Sequence, residues 1–115
     1  MTATASATRV ELRSAAGWSP VCDRDLLVPG RGVAVLLPDG HQAAVFRDGS
    51  DRLYAVDNRD PFTGAYVLSR GLLGSTADGR VYVASPLLKQ RFDLLTGECL
   101  DDEGVRVAVH AVRSA

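Results

Sequence analysis

The residues of this chain that could most readily carry chemistry are two cysteines, two histidines and one serine in a proline-containing loop. Cys22 and Cys99 lie far apart and belong to no Cys-x-x-Cys or Cys-x-His pair, the spacings typical of metal and redox sites. His41 and His110 are equally separate, and Ser85 has no histidine in its own motif. Hydrolysis by an activated nucleophile therefore lacks its usual residue pattern. We expect two reduced, packed thiols, with a disulfide or an intermolecular metal site as the alternatives.

Any such residues must be positioned by short strands, because turns recur too often for anything longer. No segment has a helical period beyond a turn or two, and Asp23 is predicted to cap one helical turn over residues 23–27. Residues 105–111 alternate valine with other residues and give the strongest strand signal. The fold class predicted is all-β, an antiparallel sandwich or barrel with little helix. The predicted strands cover residues 17–22, 33–37, 41–47, 53–57, 81–84, 90–93 and 105–111.

Length and charge restrict the partners. A chain of 115 residues fits one domain, which we place at residues 17–115 behind a flexible tail at 1–16. The 13 basic and 14 acidic residues give a net charge of −1 with the arginines scattered singly, so a nucleic-acid partner is not expected. No apolar run approaches the roughly 18–20 residues of a membrane span. The N-terminus has no secretory pattern, and a cytoplasmic location follows as the expectation.

Two loops carry patterns that have a chemical counterpart. Residues 57–64 read D-N-R-D-P-F-T-G after a predicted strand, and residues 85–97 read S-P-L-L-K-Q-R-F-D-L-L-T-G, ending in a Thr-Gly turn. Their order and spacing resemble the two cluster-binding loops of a Rieske-type iron–sulfur domain. The resemblance implies a Rieske-like fold.

The resemblance places Asn58, Asp60, Ser85 and Leu88 where a Rieske-type domain has its Cys, His, Cys and His ligands. A Rieske cluster needs two thiolates on one iron and two imidazoles on the other. An amide, a carboxylate, a hydroxyl and a hydrocarbon supply neither. We therefore expect no metal or other cofactor in this chain, which removes the hypothesis of a Rieske-type electron carrier.

The patterns D-N-x-D-P-F-x-G, L-S-R-G and S-P-L-x-K-Q-x-F, within residues 18–113, are similar to the small subunits of assimilatory NAD(P)H-dependent nitrite reductases. This resemblance implies a non-catalytic cytoplasmic partner of a large subunit that carries FAD, an iron–sulfur cluster and sirohaem. That large subunit reduces nitrite to ammonium, and the redox chemistry belongs to its cofactors. The alternative hypothesis is a stand-alone β-domain that serves as an adaptor for a protein or small molecule.

The loops also supply candidate partner-binding residues, each with a structural alternative. Asn58 and Asp60 could instead bond local backbone N–H groups in a turn. Phe62 is either an exposed interface anchor or a buried plug. Leu87 and Leu88 are expected to fill or cover the space that a cluster would take, and the polar candidates could be a solvated face. The candidates are Pro61, Phe62, Ser69, Arg70, Pro86, Leu87, Lys89 and Gln90.

Overall fold

The fold consists of three small antiparallel sheets. A computed structural model describes residues 8–114, which contain nine strands, two short 3-10 turns and no α-helix. The predicted all-β class is confirmed. No helix in this range is long and apolar enough to cross a membrane. The strands are β1 (Arg9–Ser14), β2 (Gly17–Asp23), β3 (Gly32–Leu36), β4 (Gln42–Arg47), β5 (Leu53–Asp57), β6 (Leu72–Ser75), β7 (Val81–Ala84), β8 (Arg91–Asp93) and β9 (Val112–Ser114).

The first sheet has the strand order β2-β1-β9 and corrects the prediction of an N-terminal tail. β1 lies inside the segment 1–16, yet Val10 and Leu12 are fully buried and pack near Leu27 and Val35. The tail prediction is wrong for Arg9–Ser14, because two inward-facing apolar residues and pairing on both edges hold this strand in place. Residues 1–7 of the predicted tail lie outside the described residues.

The second sheet, β3-β4-β5, follows the prediction closely. β3 and β4 are joined by a turn in which Gly40 has a φ of +91°, and the predicted strands 33–37, 41–47 and 53–57 are each confirmed to within about a residue. The third sheet, β6-β7-β8, includes a strand that was not predicted. A Cβ atom at Gly74 of β6 would lie 2.6 Å from the Tyr82 ring, so the glycine that obscures this strand in the sequence is required by packing.

The segment 105–111 does not form the strand that its alternating valines predict. It makes isolated bridges instead, Arg106 with Glu98 and Val109 with Val56, before the chain enters β9 beside β1. Because the segment passes from one sheet to the next, it changes partners before a ladder can form. The alternation correctly indicates an extended backbone, but the strand itself is Val112–Ser114.

The predicted helical turn is present without its predicted cap. Residues Arg24–Leu26 form one 3-10 turn, but the side chain of Asp23 makes no capping hydrogen bond. The Asp23 carboxylate lies 3.7 Å from the guanidinium of Arg9 on the neighbouring strand.

Two clusters of buried side chains form the core. One joins the second and third sheets around Phe46, Phe92 and Leu68, and the other joins the first and second sheets around Leu12 and Val45. Both cysteines are free thiols, Cys99 buried and Cys22 half-buried. Burial, followed by the nearby Asp23 charge, raises the pKa of the Cys22 thiol, so it is a weak nucleophile.

Candidate functional site

The candidate site is formed by a first loop (residues 58–67), which follows β5, and a second loop (residues 85–90), which joins β7 to β8. One buried hydrogen bond links them: the Ser85 hydroxyl donates to Asp60 Oδ2 over 2.6 Å, and both residues are 0% exposed. This length is typical of a hydroxyl on a carboxylate. The other oxygen, Asp60 Oδ1, accepts the backbone N–H of Phe62 at 2.8 Å. Both carboxylate oxygens of Asp60 are therefore engaged in holding the loops.

Asn58 fixes the start of the first loop and is also buried. Its side-chain oxygen accepts the Ser69 N–H at 2.8 Å, and its amide nitrogen donates to Gln42 Oε1 at 3.2 Å. The Asn58 backbone N–H donates to the Gln42 carbonyl, and the Leu68 N–H donates to the Asn58 carbonyl. This residue therefore joins the loop to β4 and to the 3-10 turn Leu68–Arg70.

Leu88, the fourth position matched to a cluster ligand, does not join the other three. Its side chain is 56% exposed and that of Leu87 is 49% exposed. Of the two expected roles, filling or covering the space of a missing cluster, this exposure excludes filling, and covering stays a prediction. The Ser85–Asp60 hydrogen bond draws the two loops together, which leaves the leucines on the outside.

Phe62 lies against the core instead of standing at an exposed loop tip. Its ring is half-buried and packs at a centroid distance of 6.2 Å from the ring of the fully buried Phe92, with the planes tilted by 47°. This geometry favours the packing alternative for Phe62. Pro61 beside it is exposed.

The second loop has an unusual backbone at its tip. Lys89 is exposed and has a φ of +67°, one of two non-glycine residues with positive φ among the described residues. Its N–H donates to the Ser85 carbonyl, and the Ser85 N–H donates to the Gln90 carbonyl. The side-chain oxygen of Gln90 is buried and has no hydrogen-bond partner within the described range. The loop is thus closed by main-chain bonds, while no carboxylate in that range lies within 4.0 Å of the Lys89 ammonium group.

We predicted no role for Asp93 from the sequence, although the Thr-Gly turn that follows it indicates a side chain that could close that turn. Its Oδ1 accepts the N–H groups of Leu95 and Thr96 at 2.7 and 3.0 Å, and its Oδ2 accepts Arg80 Nε at 2.8 Å. Burial opposes ionisation, but these hydrogen bonds, led by that from Arg80, hold the pKa of the Asp93 carboxyl below its ordinary value. Asp93 closes the turn and anchors β8, which supports the second loop.

The two histidines, far apart in sequence, line one cavity of about 270 Å³. His110 Nε2 lies 2.7 Å from Asp57 Oδ1, and His41 Nδ1 lies 3.0 Å from Asp39 Oδ2. The hydrogen bond and charge of Asp39 raise the pKa of His41. Within the described part of the chain, no three histidine, cysteine or acidic residues are arranged to hold a metal ion. The His110–Asp57 pair holds the C-terminal segment against the end of β5.

Comparison with known proteins agrees with this geometry. The family described as the Rieske-like [2Fe-2S] domain matches residues 17–115. A nitrite reductase (NADH) small subunit from Salmonella typhimurium is 45% identical over 97 residues, which is 84% of this chain and 88% of the relative. The chain belongs to the nitrite reductase small-subunit family. A similar solved structure is described as an NADH-dependent nitrite reductase small subunit from Mycobacterium tuberculosis. It is 40% identical in sequence to this chain and superposes on it with a TM-score of 0.76, over 96% of this chain and 97% of that one.

A second relative of this small-subunit family member is a much larger protein. The nitrite reductase [NAD(P)H] large subunit of Klebsiella oxytoca is 45% identical over 84 residues, which are 73% of this chain and only 8% of the relative. In Klebsiella oxytoca, a domain of this kind is therefore part of the large-subunit polypeptide itself.

The residues at the four ligand positions of this family member do not fit a [2Fe-2S] cluster. Asn58, Asp60 and Ser85 are buried, and their side chains are engaged in hydrogen bonds within the fold. None of the three is a thiolate or an imidazole, and the hydrocarbon side chain of Leu88 cannot ligate iron. No electron-transfer step through a cluster follows from this site.

Proposed function

We propose that the chain is the cofactor-free small subunit of a cytoplasmic NAD(P)H-dependent nitrite reductase and acts by binding the large subunit. The observation that carries this proposal is the Klebsiella oxytoca relative, in which a domain 45% identical to this chain lies within a large subunit. A domain built into a polypeptide is held at high effective concentration beside the rest of it. A free domain of the same family has to reach that position by binding.

A supporting role, in place of a catalytic one, agrees with the chemistry of the loops. Ser85 and Asp60 bond to each other and are fully buried, so neither can act on a substrate. The six-electron reduction of nitrite to ammonium requires cofactors that store electrons, which ordinary side chains cannot do. We assign those cofactors, FAD, an iron–sulfur cluster and sirohaem, to the large subunit. The comparisons do not favour the alternative of a stand-alone adaptor.

The test is to co-express the chain with the large subunit of the same organism. We expect the two to co-purify, and we expect NADH- or NADPH-dependent nitrite reduction in cell extracts to fall when this chain is deleted and to recover when it is supplied again. A large subunit that purifies alone, together with nitrite reduction that is unaffected by the deletion, would contradict the proposal.

A further inference from the structure

Three exposed leucines lie at the loop end of the third sheet. Leu72, Leu87 and Leu88 are 72%, 49% and 56% exposed. Leu72 begins β6 and pairs with Ala84, the last residue of β7, directly before the second loop that carries the other two. We call these three residues the leucine patch. Single exposed leucines are ordinary, but a group at one end of a sheet marks a surface suited to interaction.

Positive charge borders the leucine patch. Arg70 ends the 3-10 turn that leads into β6, and Lys89 directly follows Leu88. Both are exposed, and no carboxylate within residues 8–114 lies within 4.0 Å of either. Arg31 lines the same cavity of about 290 Å³ as Arg70 and Leu72, which adds a third basic residue to this border.

Of the three carboxylates of Asp60, Asp101 and Asp102 near the patch, one is neutralised, one is buried and one is exposed. Asp101 is paired with Arg91 at 2.8 Å, and Asp60 lies inside the fold. Asp102 lines a cleft with Lys89 but makes no ion pair with it. The loop end therefore presents three unpaired basic residues against one unpaired carboxylate, on a chain whose net charge is −1.

The backbone of Lys89 adds an independent observation. Its φ of +67° lies in the left-handed region, which costs a residue with a side chain about 1–2 kcal/mol and costs glycine nothing. Its N–H bond to the Ser85 carbonyl could be made equally well by glycine. A lysine in a conformation that favours glycine, with an exposed and unpaired ammonium group, indicates that the side chain itself is needed.

We propose that the leucine patch, with Arg70 and Lys89 at its border, is the surface that docks on the large subunit. The facing surface of the large subunit is then an apolar depression bordered by aspartate or glutamate carboxylates. This inference rests on the proposed function and adds the location and chemistry of the contact. An apolar centre supplies affinity in such an interface, while the charged rim sets orientation and association rate.

The test measures the affinity of the purified large subunit, immobilised on a biosensor, for variants of the full-length chain. The loop-end variants are Lys89→Gly, Arg70→Glu and Leu88→Ser. Arg52→Glu is the matched charge control, because Arg52 precedes β5 at the end opposite the first loop. Leu95→Ser is the matched apolar control, because Leu95 is 59% exposed and follows β8 at the end opposite the second loop.

We expect each loop-end variant to raise Kd by about tenfold or more, and each control to change it by less than about threefold. Lys89→Gly should do so without lowering Tm, since glycine relieves the backbone at this position. Added salt should weaken binding of the wild-type chain more steeply than binding of the Lys89→Gly variant.

Two results would each contradict a different part of the proposal. A wild-type chain that binds, with loop-end variants that bind as tightly as the controls, overturns this docking surface and leaves the proposed function intact. A wild-type chain that does not bind the large subunit overturns the proposed function, and the docking surface with it.

Discussion

Replacing Ser85 with alanine removes the hydroxyl that links the two loops. Asp60 Oδ2 then loses the 2.6 Å hydrogen bond from Ser85 while remaining fully buried, and the Leu87 N–H loses a weaker contact of 3.3 Å with the same hydroxyl. A hydrogen bond to a charged group contributes about 1.5–3 kcal/mol, and a buried acceptor left without a partner costs a similar amount. We therefore expect Ser85→Ala to lower the free energy of unfolding by about 2–3 kcal/mol.

For a domain of this length, each kcal/mol corresponds to a shift in Tm of roughly 4 °C, so the variant should melt about 8–12 °C lower. Urea unfolding followed by circular dichroism gives the free energy directly. Ser75→Ala is the matched control, because Ser75 is an exposed serine in β6. A double-mutant cycle with Asp60→Asn isolates the coupling between the two side chains. A loss below about 0.5 kcal/mol for Ser85→Ala would refute the reasoning that this bond joins the loops.

Three further predictions concern the frame around the loops. Asp39→Asn should lower the pKa of His41, measured by NMR titration, because the Asp39 carboxylate raises that pKa. The raised pKa means that the pair stabilises the fold at low pH and that this stabilisation disappears as pH rises through the His41 pKa. An unchanged His41 pKa in the variant would contradict the pairing. Asp93→Asn should lower the free energy of unfolding by about 2 kcal/mol near neutral pH, measured by urea unfolding. Because the pKa of the Asp93 carboxyl is lowered in the fold, the difference in stability from wild type should shrink as pH falls through that pKa. A difference that stays constant with pH would contradict the stabilisation of the Asp93 carboxylate by its hydrogen bonds. Gly97→Ala should lower the free energy of unfolding by about 3 kcal/mol or more, since φ of Gly97 is +80° and the added Cβ would lie 2.0 Å from the Val107 carbonyl oxygen. A variant with the Tm of the wild type would contradict this packing.

The part of the fold that the sequence predicts is the part determined locally. The hairpin of β3 and β4 has turn residues between two apolar runs, and so does the hairpin of β4 and β5, which is why their strands were placed correctly. β1 was missed although its main partner is the adjacent β2, because the small polar residues that precede it in the sequence favoured a tail, and the strand contributes only Val10 and Leu12 to the core. The segment 105–111 was misassigned because alternating valines indicate an extended backbone, whereas a strand also needs one neighbouring strand that pairs along its length.

The candidate site shows the same limit. The motif spacing identified both loops, but the pairing of Ser85 with Asp60 spans 25 residues and depends on how the loops meet. The same holds for His110 and Asp57, which are 53 residues apart. The motif spacing likewise did not show whether Leu88 would fill a space between the loops or lie at the surface, where the structure places it. Whether the candidate partner-binding residues contact a partner stays a prediction.

The most direct test of the central claim is to purify the chain anaerobically and measure its iron and acid-labile sulfide. The same sample is then added to a large subunit purified without this chain. We predict a chain free of iron and sulfide that binds the large subunit and restores nicotinamide-dependent nitrite reduction. A chain that carries stoichiometric iron and sulfide, and that restores activity only in this loaded form, would contradict the claim that its loops serve recognition without a cluster.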